Sequence, residues 1–314
     1  MEYARFGKTD WEISLISHGC WEMGGTQWEH TSDEINIKAV HKALDEGINS
    51  FDTAEGYGDG HSEEVLGKAL EGKRKDLFVA TKVARKNLSP ADLRNSLTGS
   101  LKRLRTDYID LYYIHWPNPE IPLEETMEEL VKVQKEGLIK HIGVSNFDVP
   151  LLEKAMKIGR IEALQNEYSL LHRSIEAEIL PYCIQNSISL MSYSSVAKGI
   201  LTGIFHFGGV KIKEDDFRAS RRLFLPAHLA AEEELLNAMK KIADTLKLSC
   251  GQLALAWLFS KKGLCSALVG TQNEKHFMEN IEAVGKKIGP EDLAELDRIS
   301  AKVIDAIDAN PEGK

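Results

Sequence analysis

The sequence has no apolar run that approaches the roughly 20 residues needed to cross a membrane as a helix. Its first ten residues, MEYARFGKTD, lack the apolar core of a signal peptide. Basic residues are in deficit: 39 Lys and Arg stand against 48 Asp and Glu, which gives a net charge of -9. An acidic surface argues against nucleic acid or an anionic membrane as the main partner.

Cysteine is also scarce. The four cysteines are Cys20, Cys183, Cys250 and Cys265; they form no CxxC pair and have no His-rich neighbourhood. Isolated thiols favour a reducing compartment over a disulfide framework or a zinc site. We therefore expect a cytoplasmic protein without a bound metal. The 314 residues, 43% of them hydrophobic, are sufficient to bury a large core.

The glycine fingerprint GxGxxG, which a doubly wound dinucleotide-binding sheet usually carries, is missing. What is present is an alternation of short apolar runs with longer amphipathic runs. The apolar runs predict strands at 12–21, 48–54, 76–83, 107–116, 140–147, 161–171, 188–196 and 265–272. The amphipathic runs predict helices at 32–47, 62–72, 89–105, 123–137, 150–159, 174–186, 232–248, 250–263, 274–288 and 290–307.

Eight strand–helix units without a linker indicate an α/β protein, a (β/α)₈ TIM barrel, which typically needs about 250 residues. We predict that 1–314 form one barrel domain with extra C-terminal helices. The first twelve or so residues resemble a β-hairpin that turns at Lys8–Asp10 and plugs one end of the barrel. The stretch from 203 to 232 is predicted to be irregular, and a loop of that length is often a lid.

Chemistry in such a barrel lies at the C-terminal ends of the strands. Polar residues end most of the predicted strands, and they include Asp52, Lys82, His115, Ser145, Asn146, Gln165, Tyr193, Ser194 and Thr271. Because the interior of a parallel sheet is normally apolar, this recurrence favours a polar pocket at one mouth of the barrel.

The segment FDTAEGYGDGHSEEVLG, residues 51–67, places Asp52 at a strand end and Tyr57 in the glycine-rich loop that follows. A phenol has a pKa near 10, and a nearby ammonium such as Lys82 lowers it. With His115 beside the phenol, the set forms a general acid aimed at a developing alkoxide. No nucleophile with its base and no metal cage accompanies it, so hydride from a nicotinamide is the natural partner.

These motifs resemble those of the aldo-keto reductases over essentially all 314 positions. The family pattern DTAxxYGxxxSE appears here as DTAEGYGDGHSE. Its strand motifs appear in order as ATK, DYIDLYYIHWP, IGVSNF, LQNEYSLL and SYSSVAKGILTG. The segments LLHR and DFR (216–218) suit the bacterial open-reading-frame-type and general-stress-type branches.

The resemblance implies an NAD(P)H-dependent reductase of small aldehydes or ketones, in which Tyr57 donates the proton and His115 orients the carbonyl. The implied catalytic residues are Asp52, Tyr57, Lys82 and His115, and the implied substrate pocket is Trp21, Tyr57, His115 and Trp116. The implied cofactor residues are Gly19, Cys20, Trp21, Asp52, Ser145, Asn146, Gln165, Tyr193, Ser194, Leu201, Gly203, Arg218, Gly270, Gln272, Glu279 and Asn280. Of these, Ser145, Asn146 and Gln165 would hold the carboxamide.

Three positions depart from the family pattern. Ser195 replaces a usual proline, His18 a frequent glycine, and Gln272 the Arg or Lys that clamps the 2′-phosphate of NADP in many relatives. A neutral amide cannot pair a dianionic phosphate, although Lys275 or His276 could substitute. We expect NADP(H) as the favoured cofactor, with NAD(H) as the alternative.

Other readings stay open on the sequence alone. The protein could be an NAD-linked dehydrogenase of a polyol or sugar. It could also be a non-catalytic cofactor-binding regulatory subunit, like the potassium-channel β subunits that share this fold. A third possibility is a Schiff-base enzyme in which Lys82 attacks a carbonyl. The expected oligomeric state is a monomer or a weak homo-oligomer.

Overall fold

A computed structural model describes residues 1–26, 31–270 and 273–313. The strands are β1 Tyr3–Arg5, β2 Glu12–Ser14, β3 Ile16–Gly19, β4 Ser50–Asp52, β5 Phe78–Val83, β6 Ile109–Ile114, β7 Ile139–Ser145, β8 Ala163–Glu167, β9 Ser189–Tyr193 and β10 Leu264–Val269. The α-helices are α1 Asp33–Asp45, α2 His61–Ala69, α3 Pro90–Arg103, α4 Leu123–Lys135, α5 Val149–Met156, α6 Ile179–Asn186, α7 Pro226–Leu246, α8 Cys250–Phe259, α9 Glu274–Ile281 and α10 Pro290–Ala309.

Eight parallel strands close into a barrel in the order β10-β3-β4-β5-β6-β7-β8-β9. Every residue of β5 and β6 is buried, as expected for strands covered on both faces. Helix α3 begins as its sequence predicts, because the Ser89 hydroxyl accepts a hydrogen bond from the backbone N–H of Asp92 and Pro90 occupies the first turn. The predicted TIM barrel is confirmed.

The N-terminal hairpin is also confirmed. Strands β1 and β2 pair antiparallel, with Tyr3 opposite Ser14. Phe6 and Ile13 are fully buried in one apolar cluster with residues of the barrel interior, and the rings of Phe6 and Phe78 lie 4.7 Å apart. The hairpin therefore fills one end of the barrel with side chains, which leaves the other end available for a site.

The chain divides into two compact units. The barrel unit comprises Met1–Asn166, Ile175–Tyr193 and Gly263–Phe277, and the helical unit comprises Glu167–Ser174, Ser194–Lys262 and Met278–Lys314. Within the helical unit, α7 packs against α8 and α10.

Three predicted helices differ most from the observed ones. The helix expected at 274–288 ends at Ile281. The helix expected at 232–248 begins earlier, at Pro226, because proline is well suited to a first helical turn. The helix expected at 174–186 is split into a 3₁₀ turn, Ser174–Glu176, and α6. Within the described ranges, each helix is either too short or too polar to span a membrane.

Candidate active site

The four predicted catalytic residues come from neighbouring parts of the barrel unit. Asp52 is the last residue of β4, Lys82 lies near the end of β5, and His115 directly follows β6. Tyr57 lies in the loop between β4 and α2. Because β4, β5 and β6 are adjacent parallel strands, their C-terminal ends bring these side chains together.

Lys82 is the centre of this group. Its ammonium is fully buried and donates hydrogen bonds to Asp52 Oδ1 at 2.5 Å, to the carbonyl oxygen of Thr53 at 2.7 Å and to Tyr57 Oη at 3.4 Å. Burial by itself lowers the pKa of Lys82, but the charge of Asp52 and the contact with Tyr57 outweigh it and raise that pKa above its usual value. Lys82 is therefore a cation, and the neutral amine that a Schiff-base mechanism needs is disfavoured.

Asp52 is the counter-ion of Lys82. It is 4% exposed, and its second oxygen, Oδ2, accepts a hydrogen bond from Gln165 Nε2 at 2.8 Å. Burial raises the pKa of the Asp52 carboxyl, while the charge of Lys82 and the hydrogen bonds from Lys82 and Gln165 oppose that rise. These partners supply the compensation that a buried charge requires.

Tyr57 is half-buried and meets the His115 ring edge-on, with the ring centroids 5.7 Å apart. Burial raises the pKa of Tyr57, and the charge of Lys82 opposes this only in part. Lys82 therefore acts in the predicted direction, but the predicted net lowering is wrong because desolvation of the phenolate is the larger effect. Burial and the charge of Lys82 together lower the pKa of His115 to about 3, so its imidazole is neutral at pH 7.

The predicted carboxamide site is a cluster of hydroxyl and amide groups at the ends of β7, β8 and β9. Asn146, which has a positive φ of 62°, donates from Nδ2 to Ser145 Oγ at 2.9 Å and to the carbonyl oxygen of His115 at 3.2 Å. Tyr193 Oη donates to Asn146 Oδ1 at 2.8 Å. Ser145 Oγ donates to the carbonyl oxygen of Gln165 at 2.8 Å. These bonds fix the amide plane and the Tyr193 ring.

Gly19 is the last residue of β3 and Cys20 comes directly after it, at the end of the barrel where Asp52 lies. Gly19 pairs with Asp52, and the Cys20 N–H donates to the carbonyl oxygen of Asp52 at 2.9 Å. A Cβ on Gly270 would lie 2.8 Å from the carbonyl oxygen of Gly19, so the backbones approach closely here. Burial raises the pKa of the Cys20 thiol, which is therefore unreactive.

The two tryptophans predicted for the substrate pocket have different settings. The Trp21 ring centroid lies 6.4 Å from that of Tyr57. Trp116 follows His115 in the chain and is 47% exposed. Trp21 therefore lies beside the phenol, while Trp116 presents an aromatic surface to solvent.

The aldo/keto reductase family model matches residues 15–301. The chain belongs to the aldo/keto reductase family. It is 33% identical to Aldo-keto reductase YhdN of Bacillus subtilis over 97% of this chain and 95% of the relative. It is 31% identical to the NADH-specific methylglyoxal reductase of Escherichia coli over 93% of this chain and 96% of the relative.

Among solved structures, the chain is similar to the Klebsiella pneumoniae aldo/keto reductase determined in complex with NADP and acetate. The TM-score is 0.75 and the identity 30%, over 95% of each chain. These relationships confirm the predicted family and reaction class: this aldo-keto reductase is an NAD(P)-dependent oxidoreductase that acts on carbonyl groups.

Six further residues predicted to bind the cofactor lie in the helical unit of the reductase: Ser194, Leu201, Gly203, Arg218, Glu279 and Asn280. Leu201 is fully buried, while Ser194 and Gly203 have positive φ values of 52° and 79°. Arg218 pairs with Asp216 at 2.6 Å. Gln272, the predicted point of discrimination between NADP and NAD, lies outside the described residues.

Sequence reasoning missed several polar residues of the reductase. Lys198, in the helical unit, donates to Ser194 Oγ at 2.8 Å and to Glu167 Oε1 at 3.1 Å. In the barrel unit, Ser62 and Glu63 are fully buried and hydrogen-bonded. Their only sequence signal is that they end the DTAxxYGxxxSE pattern.

Proposed function

We propose that this reductase acts on the carbonyl group of a small aldehyde or ketone, and that Tyr57 transfers the proton to the carbonyl oxygen. One observation carries the proposal: the buried Lys82 ammonium reaches the Tyr57 hydroxyl from a position held by Asp52. An ammonium beside a phenol stabilises the phenolate that remains after the proton has left.

The protonation states suit reduction. Since burial raises the pKa of Tyr57, the phenol carries its proton at pH 7 and can donate it. His115 has a pKa of about 3, so it is neutral and cannot act as the acid. We propose that the neutral His115 ring instead donates a hydrogen bond to the carbonyl oxygen and orients it towards Tyr57.

A nicotinamide cofactor fits the neighbouring polar cluster. Hydroxyl and amide groups of Ser145, Asn146 and Gln165 match the donors and acceptors of a carboxamide, and the Tyr193 ring is fixed through its hydroxyl as a planar surface. When bound, the cofactor supplies hydride to the carbonyl carbon. The residues of this cluster would hold the carboxamide, and Asn146 would also couple it to His115 through the His115 carbonyl oxygen.

We propose NADP(H) as the favoured cofactor, with NAD(H) also accepted. The relatives support both: one is named for NADH specificity, and another was solved with NADP. We also propose that Ser194, Leu201, Gly203 and Arg218 bind the pyrophosphate of the cofactor, and that Gly270, Gln272, Glu279 and Asn280 contact its adenosine part.

We also propose a cytoplasmic location and a monomer or weak homo-oligomer in which 1–314 act as one domain. The location is supported by the free, buried state of all four cysteines, since such thiols persist in a reducing compartment.

The deciding experiment compares the wild type with Tyr57→Phe. We expect turnover of methylglyoxal, used as a test aldehyde, to fall about 10²–10⁴-fold because the proton donor is lost. Titration of tryptophan fluorescence with NADPH and with NADH should give the same dissociation constants for both proteins. The titration also decides cofactor preference, for which we expect tighter NADPH binding. Undiminished turnover in Tyr57→Phe would remove Tyr57 from the mechanism.

A further inference from the structure

The Lys82 ammonium has three N–H donors. Asp52 and the carbonyl oxygen of Thr53 accept the two short bonds, at 2.5 and 2.7 Å, so the third N–H is left for Tyr57 at 3.4 Å. The position of the Thr53 carbonyl therefore decides where the third donor points. Whatever holds Thr53 and the Tyr57 loop together sets the distance between the cation and the phenol.

Ser62 makes that connection. Its hydroxyl donates to the carbonyl oxygen of Cys20 at 2.7 Å and lies 2.9 Å from the Thr53 hydroxyl. Because the Ser62 proton is used on Cys20, the Thr53 hydroxyl is the donor of the second bond. The Ser62 N–H also donates to the carbonyl oxygen of Tyr57 at 3.2 Å. One fully buried serine thus contacts both Thr53, at the start of the loop, and Tyr57, which carries the phenol.

Glu63 anchors the same segment to the strand that carries Lys82. Its Oε1 accepts a hydrogen bond at 2.5 Å from the hydroxyl of Thr81, the residue before Lys82, and its Oε2 accepts one at 2.6 Å from Arg103 Nε of α3. Glu63 is fully buried, whereas its neighbour Glu64 is exposed. A buried carboxylate with both oxygens occupied holds its position far more rigidly than a solvated one.

We infer that Ser62 and Glu63 are positioning residues for proton transfer, which hold the Tyr57 loop against Thr53 and Thr81 so that the Lys82 ammonium faces the phenol. The inference rests on the proposed function, since it assigns their effect to the step in which Tyr57 donates its proton. Neither side chain belongs to the proposed catalytic set. Ser62 acts through a hydroxyl and backbone carbonyls, and Glu63 acts through the Thr81 hydroxyl and the Arg103 guanidinium.

The first test is Ser62→Ala, measured by methylglyoxal reduction with NADPH. We expect kcat to fall about tenfold, because a contact that orients the Lys82 ammonium is lost. The dissociation constant of NADPH should stay within about twofold of the wild-type value. The basic limb of the kcat–pH profile should move up by about one unit, because a more distant ammonium lowers the phenol pKa less. Loss of folded protein alone would scale the rate equally at every pH.

Ser14→Ala is the matched control. Ser14 is also fully buried, its hydroxyl donates to a backbone carbonyl, that of Ile16, at 2.7 Å, and it lies in the hairpin strand β2. The control should keep wild-type kcat and pH profile even where it lowers the melting temperature. An unshifted basic limb in Ser62→Ala, or an equal kcat loss in Ser14→Ala, would overturn the inference.

Thr53→Val removes the other hydroxyl of the bond without changing the shape of the side chain, and it serves if Ser62→Ala folds poorly. The double variant Thr53→Val/Ser62→Ala should lose no more kcat than the worse single variant, because both changes break the same hydrogen bond between Thr53 and Ser62 and only Ser62→Ala also breaks the bond to Cys20. Multiplicative losses would contradict a shared role.

Glu63→Gln tests the second anchor against Glu64→Gln. We expect about a tenfold fall in kcat and an upward shift of the basic limb for Glu63→Gln only. Equal effects of the two variants would overturn the assignment of Glu63 as a positioning residue.

Tyr57→Phe separates the proposed function from the positioning role of Ser62 and Glu63. Retained turnover in Tyr57→Phe would end the proposed function, whereas an inactive Tyr57→Phe beside a wild-type-like Ser62→Ala would end only the positioning role.

Discussion

Two buried carboxyl groups, one in each unit, have opposite surroundings. Asp52 in the barrel unit accepts hydrogen bonds from Lys82 and Gln165. Glu232 in the helical unit is fully buried, and within the described part of the chain neither of its carboxyl oxygens has a hydrogen-bond partner. His206 Nε2 lies 3.9 Å from Glu232 Oε2, beyond hydrogen-bonding distance.

The difference shows in protonation. Burial raises the pKa of Glu232 to about 9, so it is neutral at pH 7. Burial acts on Asp52 in the same direction, but the raised pKa of its neighbour Lys82 reflects a charged pair. A carboxylate keeps its charge in a protein interior only where partners are supplied. This reductase supplies them beside Tyr57, where a fixed ammonium is needed.

Lys82→Met removes the main hydrogen-bond partner of Asp52. Asp52 then becomes, like Glu232, a buried carboxyl group without a charged partner. We expect turnover to fall by about 10³-fold or more, because the phenolate loses its counter-charge. The free energy of unfolding should fall by about 3–5 kcal/mol, because an unpaired carboxyl group stays buried. Steady-state kinetics and urea denaturation measure the two effects.

The double variant Asp52→Asn/Lys82→Met separates the effect on turnover from the effect on stability. Because both charges are gone, the double variant should regain most of the stability that Lys82→Met loses, while its turnover stays low. Recovery of turnover in the double variant would mean that the ammonium has no part in the chemistry. Equal stability of the single and double variants would mean that Asp52 tolerates burial without a charged partner.

Glu232→Gln tests the same comparison at the carboxyl group that has no partner. For a carboxyl group whose pKa rises from about 4.5 to about 9 on folding, the pH-dependent cost to stability is absent below pH 4.5 and grows as the pH increases towards 9. The stability of Glu232→Gln relative to the wild type should therefore improve by about 3 kcal/mol between pH 4.5 and pH 7. Urea denaturation at both pH values measures this change.

The control is Glu233→Gln, which makes the same chemical change at the exposed neighbouring position. Its stability relative to the wild type should not change over the same pH range. A pH-independent difference for Glu232→Gln would mean that Glu232 is ionised in the folded protein, and the comparison with Asp52 would fail.

The sequence was sufficient to predict the barrel, its hairpin and the meeting of Asp52, Lys82 and His115, because strand order alone brings the ends of neighbouring parallel strands together. It was not sufficient for the net pKa of Tyr57. That value depends on how far burial outweighs one ammonium, and burial is a property of the packed loops.

Contacts between segments that are distant in the chain could not be predicted from the sequence either. Ser62 reads as a helix-start residue, yet its hydroxyl binds a carbonyl 42 positions away in the chain. Glu232 reads as one more polar residue of an amphipathic helix, because the packing of α7 against α8 and α10 leaves no trace in local periodicity. A buried polar residue of this kind can be recognised only when the elements that pack against each face of its helix are known.

Gln165→Met is the mildest of the changes. It removes the hydrogen bond from Gln165 Nε2 to Asp52 Oδ2 and leaves the contact of Lys82 with Asp52 in place. Since a hydrogen bond to a charged group contributes about 1.5 kcal/mol, we expect kcat for methylglyoxal to fall only about tenfold. The affinity for NADPH should also fall, because Gln165 is proposed to hold the carboxamide. The control is Gln134→Met, which removes the hydrogen bond from Gln134 Nε2 in α4 to the carbonyl oxygen of Lys140 and should leave both kinetic values unchanged. If Gln165→Met weakened NADPH binding without affecting kcat, Gln165 would serve the cofactor alone, and the charge of Asp52 would depend on Lys82 only.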